Sequence, residues 1–308
     1  MRHNDLGGKK GKLALGLGLT AGLLGGMVAG RRMIARRRPA IAFEVGATPG
    51  TALITGASSG IGAAFARQLA AQGYRLVLVA RREERLAALS AELAQRHGVT
   101  AESLPADLSS PEGVERVVQR IDQLSALDLL INNAGFAISG EFAEIDGARH
   151  ADMIHVHVMA SVLLTRAALP GMLARRRGAI INVSSVAGFL PLPGSVTYSA
   201  SKAYLKFFSE ALHAELDGAG VRIQALCPGF TLTEFHDRPE HGKFDRSRVP
   251  AGFWMSADEV AVASLEALAR DQAVCIPGLK YRIIAAVVRL IPLWLLKLGY
   301  RRSRRRLD

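Results

Sequence analysis

Cysteine is scarce in this sequence: among 308 residues only Cys227 and Cys275 are cysteines, and each ends a predicted strand. The sequence contains no CxxC motif, and His155 and His157 are two residues apart, so they do not share a helix face. We therefore predict neither a disulfide framework nor a metal site. Two buried, reduced cysteines in a reducing compartment are the simplest interpretation.

Positive charge is missing from the middle of the chain, although the whole carries a net charge of +12. Residues 1–50 carry +7 and residues 279–308 carry +8, whereas the residues between them carry −3. The middle also lacks a basic stripe with interleaved aromatics, so we predict no nucleic-acid binding. Basic residues beside apolar runs are typical of a membrane surface instead.

Charge is also missing from residues 13–30, a run of 18 residues with lysines before it and arginines after it. This length is at the short end for a membrane-spanning helix, and glycines at every fourth position from Gly18 to Gly30 suit close packing in lipid. A signal peptide without a clear cleavage site and a disordered leader are the alternatives. The larger number of cations after the run favours a cytoplasmic position for the rest of the chain.

Strand and helix patterns alternate from residue 51 onward. Strands are predicted over 52–55, 75–80, 99–104 and 127–132, and helices over 61–72, 83–96, 111–124 and 148–173. This alternation predicts an α/β fold, with one doubly wound parallel sheet of about seven strands over residues 49–278. Residues 1–48 form a predicted membrane anchor and linker. Residues 279–308 form a predicted basic amphipathic helix at a membrane interface, broken at Pro292, with packing on the domain or on a partner subunit as the alternative.

Four motifs follow one another along this domain: TGASSGIG at 55–62, NNAG at 132–135, Ser185 with Tyr198 and Lys202, and PGFTLT at 228–233. Tyrosine and lysine at i and i+4 lie on one helix face, where an ammonium favours the ionised phenol. The order and spacing resemble the short-chain dehydrogenase/reductase superfamily over about residues 50–278, in particular its ketoacyl-reductase-like and hydroxysteroid-dehydrogenase-like members.

The resemblance implies hydride transfer between a nicotinamide cofactor and a carbonyl carbon. Tyr198 would protonate the oxygen, Ser185 would bind it, and Lys202 would hold the ribose and lower the tyrosine pKa. It also implies a homodimer or homotetramer that pairs through the helices with His157 and Tyr198. The expected cofactor contacts are Gly56, Ser58, Ser59, Gly60, Ile61, Gly62, Asp107, Asn133, Ala134, Gly135, Tyr198, Lys202, Pro228, Gly229, Thr231 and Thr233.

The cofactor type depends on the residues after the second strand, which are Arg81 and Arg82. An acidic residue at this point would bind a 2′-hydroxyl, whereas an arginine fork suits a 2′-phosphate. We therefore predict NADPH/NADP as the cofactor. Two solvated arginines at a helix start are the alternative.

One position departs from the superfamily pattern. Most relatives carry an asparagine that completes the catalytic set through a water to the lysine, and here His157 takes its place. The imidazole either supports the same water relay and adds a pH dependence, or it marks weakened catalysis.

Residues 234–255 form a predicted irregular lid with the apolar residues Phe235, Phe244, Phe253, Trp254 and Met255, which either line a pocket or anchor the loop. An apolar lid over polar catalytic groups indicates a lipophilic substrate. We therefore predict a membrane-associated, NADPH-dependent reductase of a 3-oxoacyl, steroid-like or other lipophilic ketone. A catalytically weak NADP-binding sensor or scaffold at a membrane is the alternative.

Overall fold

A seven-stranded parallel sheet forms the centre of the chain. The computed structural model describes residues 50–237, 245–288, 290–291 and 295. The predicted anchor at residues 1–48, Phe244, Pro292 and the end of the tail therefore lie outside the described residues. The strands are β1 (Thr51–Thr55), β2 (Arg75–Ala80), β3 (Ala101–Pro105), β4 (Leu129–Asn132), β5 (Gly178–Val183), β6 (Val221–Leu226), β7 (Thr231–Leu232), β8 (Met255–Ser256) and β9 (Val274–Cys275). The order in the large sheet is β3-β2-β1-β4-β5-β6-β9, and β7 pairs with β8 in a separate two-stranded sheet.

Helices cover both faces of this sheet, which confirms the predicted doubly wound α/β fold. All residues of β1 and β5 are buried, because parallel strands with helices on both sides have no solvated face. The helices are α1 (Gly60–Ala71), α2 (Glu83–His97), α3 (Pro111–Asp122), α4 (Gly147–Ile154), α5 (Ala160–Ala174), α6 (Val196–Glu215), α7 (Ala257–Ala269) and α8 (Leu279–Val288).

The strand order reverses between β1 and β4, which lie side by side. At such a reversal the connections leave in opposite directions, so a crevice opens outside the carboxyl ends of the two strands. The glycine turn after β1 and the NNAG motif after β4 both lie at this crevice, and the loops after β5 and β6 border it. The topology therefore brings all four sequence motifs to one edge of the sheet.

The helix predicted over residues 148–173 is interrupted by a π-helical turn, His155–Met159, between α4 and α5. The turn places His157 in the interior, with none of its side chain exposed. Among the described residues, Gly147–Ala174 is the one helical stretch long and apolar enough to cross a membrane. It packs on the sheet through Leu164, Ala168 and Met172, which belong to the buried core.

The beginning of the predicted tail is the helix α8, and this helix packs on the domain. Tyr281, Ala285 and Val288 are buried on its inner side. The Tyr281 hydroxyl accepts a hydrogen bond from the N–H of Phe230 (2.9 Å) and donates to the carbonyl of Phe253. Residues 279–288 are therefore a wall of the catalytic domain.

Candidate active site

The turn from β1 into α1 has the form of a dinucleotide cradle. Gly56 has a φ of +66°, which side-chain-bearing residues rarely adopt. A Cβ on Gly62 would lie 2.4 Å from the carbonyl oxygen of Gly56, so this close helix approach also requires glycine. The Thr55 hydroxyl accepts the N–H groups of Asn133 (2.9 Å) and Ala134 (3.0 Å), which ties the NNAG motif to the turn. A helix N-terminus opened in this way suits a pyrophosphate.

Ser185, Tyr198 and Lys202 converge on the crevice beside this turn. Ser185 is the second residue after β5, whereas Tyr198 and Lys202 lie one turn apart in α6. The Ser185 hydroxyl hydrogen-bonds the Tyr198 phenol, and the Lys202 ammonium nitrogen lies 5.8 Å from the centre of the tyrosine ring. Lys202 Nζ donates to the carbonyl of Val183 at 2.8 Å, which fixes it against the end of β5.

Burial, rather than the lysine charge, dominates the pKa values of this group. Desolvation raises the pKa of Tyr198 to about 12, and the Ser185 hydrogen bond opposes that rise. Desolvation likewise lowers the pKa of Lys202 to about 7. The expected lowering of the tyrosine pKa by Lys202 is not found, because burial penalises the charged phenolate and raises the pKa of Tyr198 instead. Tyr198 holds its proton through the neutral range.

His157 lies behind this group and bridges two elements through its ring nitrogens. The N–H of Phe136, just after the NNAG motif, donates to Nε2 at 3.2 Å. Nδ1 therefore carries the proton and donates to the Ser201 hydroxyl at 2.9 Å, and Ser201 donates to the carbonyl of Tyr198 at 2.9 Å. Full burial, together with the charge of Lys202, holds the pKa of His157 well below 6.5.

These contacts change the interpretation of His157 in two ways. The low pKa keeps the ring neutral near neutral pH, so a pH dependence that the ring adds would lie on the acid side. Both ring nitrogens bind protein groups, so His157 connects the NNAG loop with the tyrosine helix. Ser201, the partner in α6, was not singled out from the sequence, because a serine beside the lysine has no distinguishing pattern.

Asn132 connects structural elements behind the site. Its side-chain amide donates to Asn182 Oδ1 at 2.8 Å and to Thr165 Oγ1 at 3.2 Å. These partners lie on β5 and α5, so the buried amide connects two neighbouring strands with a covering helix.

Arg81 and Arg82 lie at the other end of the crevice, after β2. The Arg81 guanidinium lies 3.9 Å from Asp107 Oδ2, which follows β3. Arg82 donates to the hydroxyls of Ser58 (3.0 Å) and Ser59 (2.9 Å) in the glycine turn. It also forms an ion pair with Glu234, a residue that the motifs did not identify.

A single cavity of about 700 Å³ contains these features. Of the predicted site residues, all line its wall except Gly62 and His157, which lie behind it. The far end is apolar and includes four residues of α8, a segment that the sequence had assigned to the tail. Its apolar lining includes Phe189, Leu190, Leu192, Phe235, Phe253 and Ile284.

The aromatic residues of the lid divide between the two roles proposed for them. Phe235 and Phe253 line the cavity. Trp254 anchors the loop, because its indole N–H donates to the carbonyl of Val249 at 3.3 Å and its ring lies 5.4 Å from that of Phe230. Met255 lies in β8.

The chain matches the family model described as short chain dehydrogenase over residues 50–242. It therefore belongs to the short chain dehydrogenase family, and the superfamily predicted from the four motifs is confirmed. The protein is accordingly an oxidoreductase of the kind that acts on CH–OH and C=O groups.

Two solved structures are similar to this chain. A short-chain dehydrogenase from Sphingobium yanoikuyae in complex with NADPH is 38% identical, with a TM-score of 0.71, and the match covers 78% of this chain and 93% of that one. A bulky-bulky ketone specific alcohol dehydrogenase from Comamonas testosteroni is 30% identical, with a TM-score of 0.66, over 82% of this chain and 92% of that one.

A curated relative with a named substrate is the very-long-chain 3-oxoacyl-CoA reductase of Anas platyrhynchos. It is 36% identical over 188 residues, which are 59% of this chain. The match spans 60% of that relative's length.

Proposed function

We propose that the protein is an NADPH-dependent reductase of the carbonyl group of a lipophilic substrate, with a 3-oxoacyl or steroid-like ketone as the substrate class. The convergence of Ser185, Tyr198 and Lys202 on one cavity, between a glycine cradle and an apolar wall, is the observation that carries this proposal. The named ketone and 3-oxoacyl-CoA relatives support the substrate class.

The residues present fit a bound dinucleotide phosphate. A Cβ on Gly56 or Gly62 would lie within 3 Å of the Asn133 amide, so the tight turn requires glycine at both positions. The N–H groups at the start of α1 suit a pyrophosphate. Arg81 and Arg82 follow β2 at the adenosine end, where a 2′-phosphate binds better to guanidinium than to carboxylate. NADPH in the similar Sphingobium structure supports the same cofactor here. When bound, the cofactor supplies the hydride.

The chain's own residues supply the proton and hold the substrate oxygen. Ser185 and Tyr198 hydrogen-bond each other and present two hydroxyls to one carbonyl oxygen. Because burial raises the pKa of Tyr198 to about 12, the phenol keeps a proton to donate as negative charge develops on that oxygen. Lys202 and the His157–Ser201 pair hold α6 against β5 and the NNAG loop.

The test is NADPH oxidation by the full chain with a panel of ketones, including short and very-long-chain 3-oxoacyl-CoA and a bulky aryl ketone. We expect turnover that increases with substrate lipophilicity. Tyr198→Phe should lose about 10²- to 10⁴-fold in rate while it still binds NADPH. Full activity of that variant would contradict the assigned proton donor.

A catalytically weak sensor or scaffold predicts a different result from the same assay. It requires NADPH binding without turnover on any ketone. The complete set of Ser185, Tyr198 and Lys202 around an open cavity favours the enzyme over this second function.

Membrane association through both termini, with the domain on the cytoplasmic side, is part of the proposal. The outer side of α8 supports it: Leu279, Ile283 and Val287 are 71%, 52% and 53% exposed and recur every four residues. Lys280 and Arg282 flank this apolar face, and residues 279–308 carry a net +8. A helix of this kind suits an anionic bilayer, and its inner side borders the substrate cavity.

Flotation with vesicles of anionic or neutral lipid tests the α8 contribution. We expect the full chain to float with anionic vesicles, and a variant with Ile283→Glu and Val287→Glu to float less. Val262→Glu, at an exposed apolar position of α7, is the matched control. Equal flotation of all variants would show that the apolar face of α8 does not contact the membrane.

A homodimer or homotetramer through α5 and α6 completes the proposal. The outward sides of these helices carry exposed apolar residues, among them Leu163 and Phe207 at 43% and 66% exposure. Phe207→Glu should shift the mass measured by light scattering towards the monomer, whereas a monomeric wild type would contradict this assembly.

A further inference from the structure

The carboxylate of Glu234 forms an ion pair with Arg82, the inner of the two arginines that follow β2. Glu234 directly follows Thr233, whose side chain would lie 3.0 Å from a Cβ on Gly60, so the segment passes over the glycine turn. One carboxylate oxygen pairs with Arg82 Nη2, and the other accepts from Arg85 Nη1 at 2.6 Å.

The same edge of the Arg82 guanidinium also binds the glycine turn. Nε and Nη2 donate to the Ser58 hydroxyl at 3.3 and 3.0 Å, and Nη2 donates to the Ser59 hydroxyl at 2.9 Å. A phosphate that binds this edge by two parallel hydrogen bonds therefore has to take the place of the carboxylate. Arg81, the outer arginine, is loosely paired with Asp107 at 3.9 Å and is half-exposed.

We propose that Glu234 is a specificity-determining residue, which binds Arg82 in place of the 2′-phosphate and yields to that phosphate when NADPH binds. This inference rests on the proposed NADPH site. NADH has no group that competes for Arg82, so it leaves the Glu234–Arg82 pair in place. The pair thus weakens NADPH binding and leaves NADH binding unchanged.

Glu234 is ionised near neutral pH, so its carboxylate is charged when it competes with a phosphate for Arg82. Burial raises its pKa, but the hydrogen bonds from Arg82, Arg85 and Ser59 outweigh that effect and lower the pKa to about 2. The pair is partly solvated, with side-chain exposures of 36% and 30%, so its strength is modest and a phosphate dianion can displace it.

Calorimetric titration of the full chain with adenosine 2′,5′-bisphosphate, AMP, NADP⁺ and NAD⁺ tests the competition. Glu234→Gln should bind both 2′-phosphorylated ligands about two- to fivefold more tightly and bind AMP and NAD⁺ as the wild type does. Asp237→Asn is the matched control, because its carboxylate pairs with Arg246 at 2.6 Å. It should leave all four affinities unchanged.

A double-mutant cycle assigns the effect to Arg82. In an Arg82→Ala background, Glu234→Gln should give no further gain for the bisphosphate. A gain of the same size there, a loss of NADP⁺ affinity in Glu234→Gln alone, or an equal change for NAD⁺ would overturn the inference. If the wild type itself binds neither 2′-phosphorylated ligand, the proposed cofactor and the competition both fail. If the wild type binds them and Glu234→Gln changes nothing, only the competition fails.

Discussion

Acidification should destabilise the fold through His157. The folded ring is fully buried and its pKa lies well below 6.5. Below about pH 6.5 the unfolded chain therefore binds a proton that the folded chain does not bind. Stability is fully present above that pH and decreases as the pH falls, by about 1.4 kcal/mol per pH unit while the folded ring stays neutral. Between about pH 7.5 and pH 5 the loss amounts to about 2 kcal/mol.

The assay is urea unfolding of the wild type and of His157→Asn across this pH range. Asparagine keeps an acceptor for the N–H of Phe136 but has no titrating group, so its free energy of unfolding should fall by about 2 kcal/mol less on acidification. His155→Asn, at an exposed position in the same π-helical turn, should follow the wild type. Parallel curves for wild type and His157→Asn would refute the neutral, buried imidazole.

Three further predictions concern the site. Gly135→Ala should lower the free energy of unfolding in urea by about 1–3 kcal/mol, because its Cβ would lie 2.8 Å from His157 Nε2; unchanged stability would show that the ring is free to move. In steady-state assays, kcat/KM for reduction should fall as the pH rises through about 7, where Lys202 loses its charge; a profile that Lys202→Arg leaves unmoved would contradict this assignment. Arg81→Asp should shift the ratio of NADPH to NADH activity towards NADH; an unchanged ratio would remove Arg81 from the phosphate site.

Local sequence patterns predicted most of the fold. Fully buried strands such as Leu129–Asn132 and the alternation of strands with helices are set by burial on both faces of a parallel sheet. The interruption of the helix at His155–Met159 was not predictable from the sequence, because the turn contains neither proline nor glycine. Its cause is tertiary: His157 is held between the N–H of Phe136 and the hydroxyl of Ser201.

The site residues that belong to a sequence motif were predictable, whereas contacts between distant segments of the chain were not. Ser185, Tyr198 and Lys202 lie within one short stretch and were assigned from spacing. Glu234 pairs with Arg82 across 152 residues of chain, and no local pattern records such an ion pair. Burial also raises the tyrosine pKa that Lys202 was expected to lower, and this desolvation depends on the packed structure rather than on local sequence.

Isotope transfer tests the central claim most directly, which is that Tyr198, Ser185 and Lys202 direct a hydride from NADPH to a lipophilic ketone. The full chain would be incubated with a very-long-chain 3-oxoacyl-CoA and NADPH deuterated at the transferred position of the nicotinamide ring, and the product analysed by mass spectrometry. We predict that the wild type forms a 3-hydroxy product with one deuterium, and that Tyr198→Phe forms at least about 10²-fold less of this product in the same time. An unlabelled product, or equal amounts of labelled product from both proteins, would contradict the account.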